Sequence, residues 1–177
     1  MPSGSKRIIN SPSSRVSELG LALPTPPTPL GAWVLRCRAF AFLSGMLPFA
    51  NGKLAISGRL GDNFSVEQGR EAAFMASINA LSFAKEHLGD LDRLKKLVKL
   101  TVLIATTEQF IEHASVADGA SNLFVQIFGP KAGHVRLVYG VQSLPVSAPL
   151  IALFQVFPLS GSGYSSPLPE KTTTPIK

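Results

Sequence analysis

The apolar positions of this chain switch between a period of two and a period near 3.6, and the switches mark out its elements. Trp33–Ala39 and Ala41–Gly45 carry short strand-like runs and predict a strand pair, with Asn51-Gly52 as a turn. Ser65 and Gln68 predict a capping box, in which the serine accepts from the third helical amide while the glutamine reaches back. The helix they open runs to about Leu88, carries Ala72, Ala76, Ala80 and Ala84 on one face, and stops at Gly89. Leu94–Ala105 returns to strand period, with Val98, Leu100, Val102 and Ile104 on one side. Thr106, Thr107, Glu108 and Gln109 repeat the capping pattern ahead of a second helix. That helix holds Ala120, Leu123, Phe124, Ile127 and Phe128 on one stripe and ends at Gly129-Pro130. Two strands follow, His134–Val141 and Pro149–Phe157, joined by a short loop.

The resulting order is β-β-α-β-α-β-β, an α+β sheet with both helices on one face. The last strand is apolar on both sides: Leu150, Ile151, Leu153, Phe154, Val156 and Phe157. One side meets the helices. The chain has no further element for the other, so self-association is expected.

Composition narrows the class. A chain of 177 residues with 45% hydrophobic and 16% charged residues fits one globular domain. No apolar run reaches the ~18 residues needed to span a bilayer, so no membrane partner is expected. The single cysteine, Cys37, rules out an internal disulfide and reads as a small packed hydrophobe in a reducing compartment. The net charge of +6 raises the question of nucleic acid, but the basic residues are dispersed. Their densest group, Arg93, Lys95, Lys96 and Lys99, has no interleaved aromatics, so a solvated surface is the expected reading.

The ends differ from the middle. Residues 1–29 are rich in Ser and Pro and predict an arm, with TPPTP at 25–29 extended; residues 30–158 form the domain; residues 159–177 predict a disordered tail. Lys6, Arg7 and Arg15 precede the first acid, Glu18, as in a mitochondrial leader. No arginine-bearing amphipathic helix is evident, so a plain arm and a cytoplasmic location are expected, with a mitochondrial one the alternative.

Most generic chemistry is missing. His87, His113 and His134 lie far apart without metal-ligand spacing, and each reads as a surface or helix-end residue. No GxSxG, P-loop or GxGxxG is present. Arg136 is the position that stands out, a single guanidinium in an apolar strand (Val135, Leu137, Val138, Val141). It either occupies a wet edge or waits for an anion that the protein does not supply.

A broad, collinear stretch from about Leu19 to Val156 resembles the reactive-intermediate deaminases, the RidA/YjgF group also called endoribonuclease L-PSP. The residues that carry the likeness are LGLALPTPPTPLGAW, FLSGMLPFANGKLAISGRLG, SVEQGREAA, GDLDRLKKLVKLTVLIAT, GASNLFVQIFG and RLVYGVQSLP. The resemblance implies a chorismate-mutase-like fold and a homotrimer with ligand clefts between subunits; no cofactor or metal is expected. It implies Arg136 as the bidentate anchor of a substrate carboxylate, contacts at Ser44 and Gly45, and an aromatic wall at Trp33. The polar residue of helix two falls on Ser121 or Asn122.

Two departures matter. The glutamate that holds the hydrolytic water in active members, fifteen residues after the arginine, is Ile151 here, and the neighbouring alternative is Leu153. Neither can position or protonate anything. The cysteine two residues after the arginine is Val138. The implied reaction is hydrolysis of 2-imino or enamine acids to 2-keto acids and ammonia, slowed by the missing acid. The alternatives are a non-catalytic trimer that binds a small carboxylate and, less favoured by the scattered charge, a ribonuclease.

Overall fold

A computed structural model of the chain describes residues 11–26, 34–37, 40–129 and 133–158. Strand β1 (Val34–Cys37) pairs antiparallel with β2 (Phe40–Met46). A two-stranded ribbon follows, β3 (Phe49–Ala50) and β4 (Lys53–Leu54), turned by Asn51 and Gly52 at φ 51° and 74°. Both turn residues are left-handed, the geometry for which Asn-Gly is suited. Helix α2 spans Val66–Leu88, β5 Leu94–Ala105, α3 His113–Phe128, β6 Val135–Val141 and β7 Leu150–Pro158. The main sheet has the order β1-β2-β7-β5-β6, antiparallel except for the parallel pair β5–β6. Apart from the ribbon and an N-terminal helix, this is the expected β-β-α-β-α-β-β arrangement.

Both helices lie on one face, α2 over β2 and β7 and α3 over β5 and β6. The α2 capping box forms as predicted, Ser65 Oγ accepting from Gln68 N while Ser65 N donates to Gln68 Oε1. The four-residue alanine repeat is the buried face: Ala72, Ala76, Ala80 and Ala84 are all 2% exposed or less. Small side chains also let α2 and α3 touch at backbone level. A Cβ on Gly119 of α3 would lie 2.1 Å from the carbonyl oxygen of Arg70 in α2, so only glycine fits there.

The second capping box does not form. Residues 105–107 are instead drawn into backbone pairing with Leu60, which donates to Ala105 O and accepts from Thr107 N. The Arg59 guanidinium also donates to Thr106 O. Helix α3 therefore begins later, at His113, with Glu112 at its N-cap and no side-chain cap. A Thr-x-x-Gln pattern supplies capping groups, but tertiary hydrogen bonds decide whether a helix starts there.

The arm expected over residues 1–29 contains a helix, α1 (Pro12–Glu18), capped by the reciprocal Ser11–Ser14 pair with Pro12 at its first position. Val16 inserts into the core, and Ser13 docks the helix on the loop after α2: its N–H donates to Asp92 Oδ1 (2.7 Å) and its hydroxyl to Asp90 Oδ1 (3.0 Å). Serine and proline, read as arm composition, here serve as caps. The tail beyond residue 158 lies outside the described residues, as does the TPPTP segment from residue 27 on.

The sheet has two unlike faces. Toward the helices run the cross-strand rows Phe154–Leu100–Arg136, Ala152–Val102–Val138 and Leu150–Ile104–Gly140. Away from them run Gln155–Lys99–Val135, Leu153–Thr101–Leu137 and Ile151–Leu103–Tyr139. The second set is largely apolar and no described element covers it: Val135, Leu137, Tyr139, Leu153 and Phe40 are exposed. No helix among the described residues is long and apolar enough to cross a membrane.

Candidate functional site

Strand β6 is one edge of the sheet, and the first turns of α3 pass beside it. Alternation along β6 turns Arg136 to the helix side, into the row of Leu100 and Phe154, where an edge position leaves it partly open. There it finds a partner. Nη1 donates to Asp118 Oδ1 on α3, and to Ser121 Oγ, one helical turn further on, at 3.3 Å. Ser121 Oγ in turn lies 3.1 Å from His134 Nε2, just ahead of β6. So Arg136 does not wait for an outside anion to satisfy its charge; Asp118 supplies one.

The geometry nonetheless leaves the guanidinium competent. Its side chain is 30% exposed, and among the described residues both of its hydrogen bonds leave from Nη1. Nε and Nη2, the edge of the fork that can meet a carboxylate bidentately, make no hydrogen bond among the described residues. Asp118 thus fixes the orientation of the plane. His134 is half-buried, and desolvation with the nearby Arg136 charge lowers its pKa from the ordinary 6.5. Both influences disfavour the protonated imidazole.

The other expected site residues lie elsewhere in the subunit. Ser121 is buried in the cluster, while the adjacent Asn122 is exposed. Ser44 and Gly45 sit in β2 at an irregularity in the β2–β7 register, three strand spacings from β6, about 14 Å. Gly45 packs directly on Ile151, whose Cγ2 lies 2.5 Å from where a Cβ would be. Ile151 and Leu153 belong to the rows facing away from the helices, opposite to Arg136. A carboxylate at position 151 would not meet Arg136 within one subunit, contrary to what a shared cleft suggests. Trp33 lies outside the described residues.

Asp118 and His134 are the residues that sequence reasoning missed. His134 was expected to be a surface or helix-end histidine. The available signal was its i,i+2 spacing to Arg136, which puts both on one side of a strand. Among the described residues no three His, Cys, Asp or Glu side chains converge as metal ligands would.

The described residues thus form an α+β sheet with two helices on one face, the other face uncovered and a polar cluster at its edge. Residues 13–157 match the family described as "YjgF/chorismate_mutase-like, putative endoribonuclease", and the chain belongs to that family. Protein TCP17 of Trypanosoma cruzi is 34% identical over 139 residues, covering 77% of this chain and 87% of that protein. The crystal structure of a "putative endoribonuclease" from Shewanella oneidensis superposes with a TM-score of 0.79 at 30% identity, over 84% of this chain and 99% of the other. Atu1372 of Agrobacterium tumefaciens, a protein of unknown function, gives 0.75 at 30% identity, over 83% and 92%.

Proposed function

We propose that this chain is a homotrimer that binds small 2-keto and 2-imino carboxylates at Arg136 and hydrolyses the imino acids, at a rate limited by the lack of a final-strand carboxylate. The observation that carries this reading is the orientation of Arg136: held at Nη1 by Asp118 and Ser121, it offers Nε and Nη2 at an open sheet edge. Planar, paired recognition of a carboxylate is what that edge of a guanidinium does best. Trimerisation is supported by the outward rows, in which six of the nine positions are apolar: Val135, Leu137, Tyr139, Leu103, Ile151 and Leu153.

 Phe40, also partly open, extends the patch onto β2. A face of this kind is stable only when another surface covers it. Ser44 and Gly45, far from Arg136 within one subunit, can share a cleft with it only across such an interface.

Two further points bear on the reading. Escherichia coli TdcF has this fold, with a TM-score of 0.53 at 17% identity, and its structure holds bound serine, a small molecule with a carboxylate. The apolar Ile151 and Leu153 favour a second reading, in which the trimer binds the carboxylate without turning it over. Calorimetric titration with 2-ketobutyrate tests the anchor, with binding expected for the natural chain and weakened for Arg136→Ala. A coupled assay, in which an amino-acid oxidase generates the 2-imino acid, separates the readings. Faster decay than in buffer supports hydrolysis; binding with unchanged decay supports the non-catalytic trimer.

A further inference from the structure

Asp118 is the acid of the cluster at Arg136. Its ion pair joins two elements, α3 and β6, whereas Arg15–Glu18 and Arg70–Glu67 are i,i+3 neighbours at 3.8 Å. Stability is a weak reason for an acid there, because the Arg136 and Asp118 side chains are 30% and 40% exposed and ion pairs so open to water contribute little. We propose that Asp118 sets the charge of the ligands that Arg136 accepts. It favours zwitterions, the protonated 2-imino acids and amino acids, over 2-keto acids, and 2-keto acids over dicarboxylates. This rests on the reading of Arg136 as the carboxylate anchor.

Charge balance at the anchor carries the preference. The guanidinium is always cationic, and the Asp118 carboxylate on Nη1 cancels that charge before any ligand arrives. Ser121, the other partner of Nη1, brings no charge, and burial together with Arg136 disfavours the protonated form of His134. A 2-keto monocarboxylate on Nε and Nη2 then leaves two anions on one cation, and a dicarboxylate leaves three. A 2-imino acid with a protonated nitrogen brings its own cation, so the site stays neutral. No contact between ligand and Asp118 is required. A carboxylate on Nε and Nη2 lies across the guanidinium from Nη1, with the rest of the ligand directed away from Asp118. Two carboxylates so placed are about 7 Å apart, and in a water-rich setting their repulsion changes affinity about threefold to sevenfold.

The preference runs with the proposed reaction. A protonated 2-imino acid and water give a 2-keto acid and ammonium. The water oxygen becomes the keto oxygen, and the nitrogen leaves with its own two protons and both protons of the water. The substrate is neutral overall, and the keto acid left on Arg136 carries one negative charge. Asp118 therefore weakens the hold on product relative to substrate.

The test is calorimetric titration of the full natural chain and of Asp118→Asn with three probes: 2-aminobutyrate as the zwitterion, 2-ketobutyrate as the monoanion and 2-ketoglutarate as the dianion. Asparagine keeps a side-chain oxygen for Nη1 and removes the charge. Asp118→Asn is expected to bind 2-ketobutyrate about threefold to sevenfold more tightly and 2-ketoglutarate more tightly still, with 2-aminobutyrate kept within about twofold. A merely structural Asp118 would lower all three affinities together or leave all three unchanged, and either result overturns the charge preference while the anchor stands. If Asp118→Asn fails to fold, the natural chain decides. Weaker binding of 2-ketoglutarate than of 2-ketobutyrate supports the preference, and tighter binding overturns it. Binding of none of the three by the natural chain, or binding unaffected by Arg136→Ala, overturns the anchor and the preference together.

Discussion

The two faces of the main sheet obey one alternation and come to different ends. On the helix side, Leu100, Val102, Ile104, Leu150, Ala152 and Phe154 are at most 1% exposed, closed over by α2 and α3. On the other side, residues of the same strands one position along remain open, with Tyr139 at 50% exposure. Two helices cover one face, and no described element covers the other. The polar cluster of Asp118, Ser121, His134 and Arg136 lies at the border, where the closed face reaches the sheet edge. Arg136 there keeps contact with solvent, its side chain 30% exposed, while its ion pair with Asp118 holds it in place.

The closed face should be the most sensitive to added volume. Gly119→Ala places a methyl group against the backbone of Arg70, which cannot move aside as a side chain can. A loss of about 3 kcal/mol, at the upper end for overpacking, is expected in denaturant unfolding. An unchanged midpoint would show that the helices can part without cost. The open face should behave in the opposite way. Leu137→Glu should leave the subunit folded by circular dichroism while weakening association by about 2 kcal/mol per interface, through a charge placed in an apolar contact. Unfolding in place of dissociation would mean that this face also stabilises the isolated subunit.

At the border the expected effect is on binding. Arg136→Lys keeps the charge and loses the fork, and titration with 2-ketobutyrate should show a loss of roughly 1–2 kcal/mol. Equal affinity in both forms would return Arg136 to a structural partner of Asp118. The smallest effect concerns α1. Burial alone would raise the Asp92 pKa, but hydrogen bonds from Ser13 and Ser11 outweigh it and hold the carboxyl below its ordinary 3.8. A lowered folded-state value means that this docking is complete above the ordinary value and fades as pH falls through the lowered one. Amide exchange in α1 should therefore rise at acid pH before that in α2; simultaneous loss would remove α1 from the peripheral layer.

Most of the sheet was legible because period-two alternation and helix caps are local signals. Ser65, Gly89, Gly129 and the alanines of α2 each declare their role within a few residues. The start of α3 was not legible, because the competing partner of Thr106 and Thr107 is Leu60, more than forty residues earlier. The N-terminal helix was hidden by composition, since Ser11, Pro12 and Ser14 can cap a helix or fill a linker, and the aspartates that hold Ser13 come from far along the chain. At the site, the likeness of RLVYGVQSLP to its family marked Arg136. Its partner Asp118 lies on another element, and no spacing in the sequence pairs an α3 aspartate with a β6 arginine.

The central claim is that the face left open by the helices is closed by further copies of the chain, and light scattering at micromolar concentration tests it most directly. The account predicts a particle of three times the 18.8 kDa chain mass, shifted toward single subunits by Leu137→Glu. A natural chain that scatters as a single 18.8 kDa subunit would contradict it.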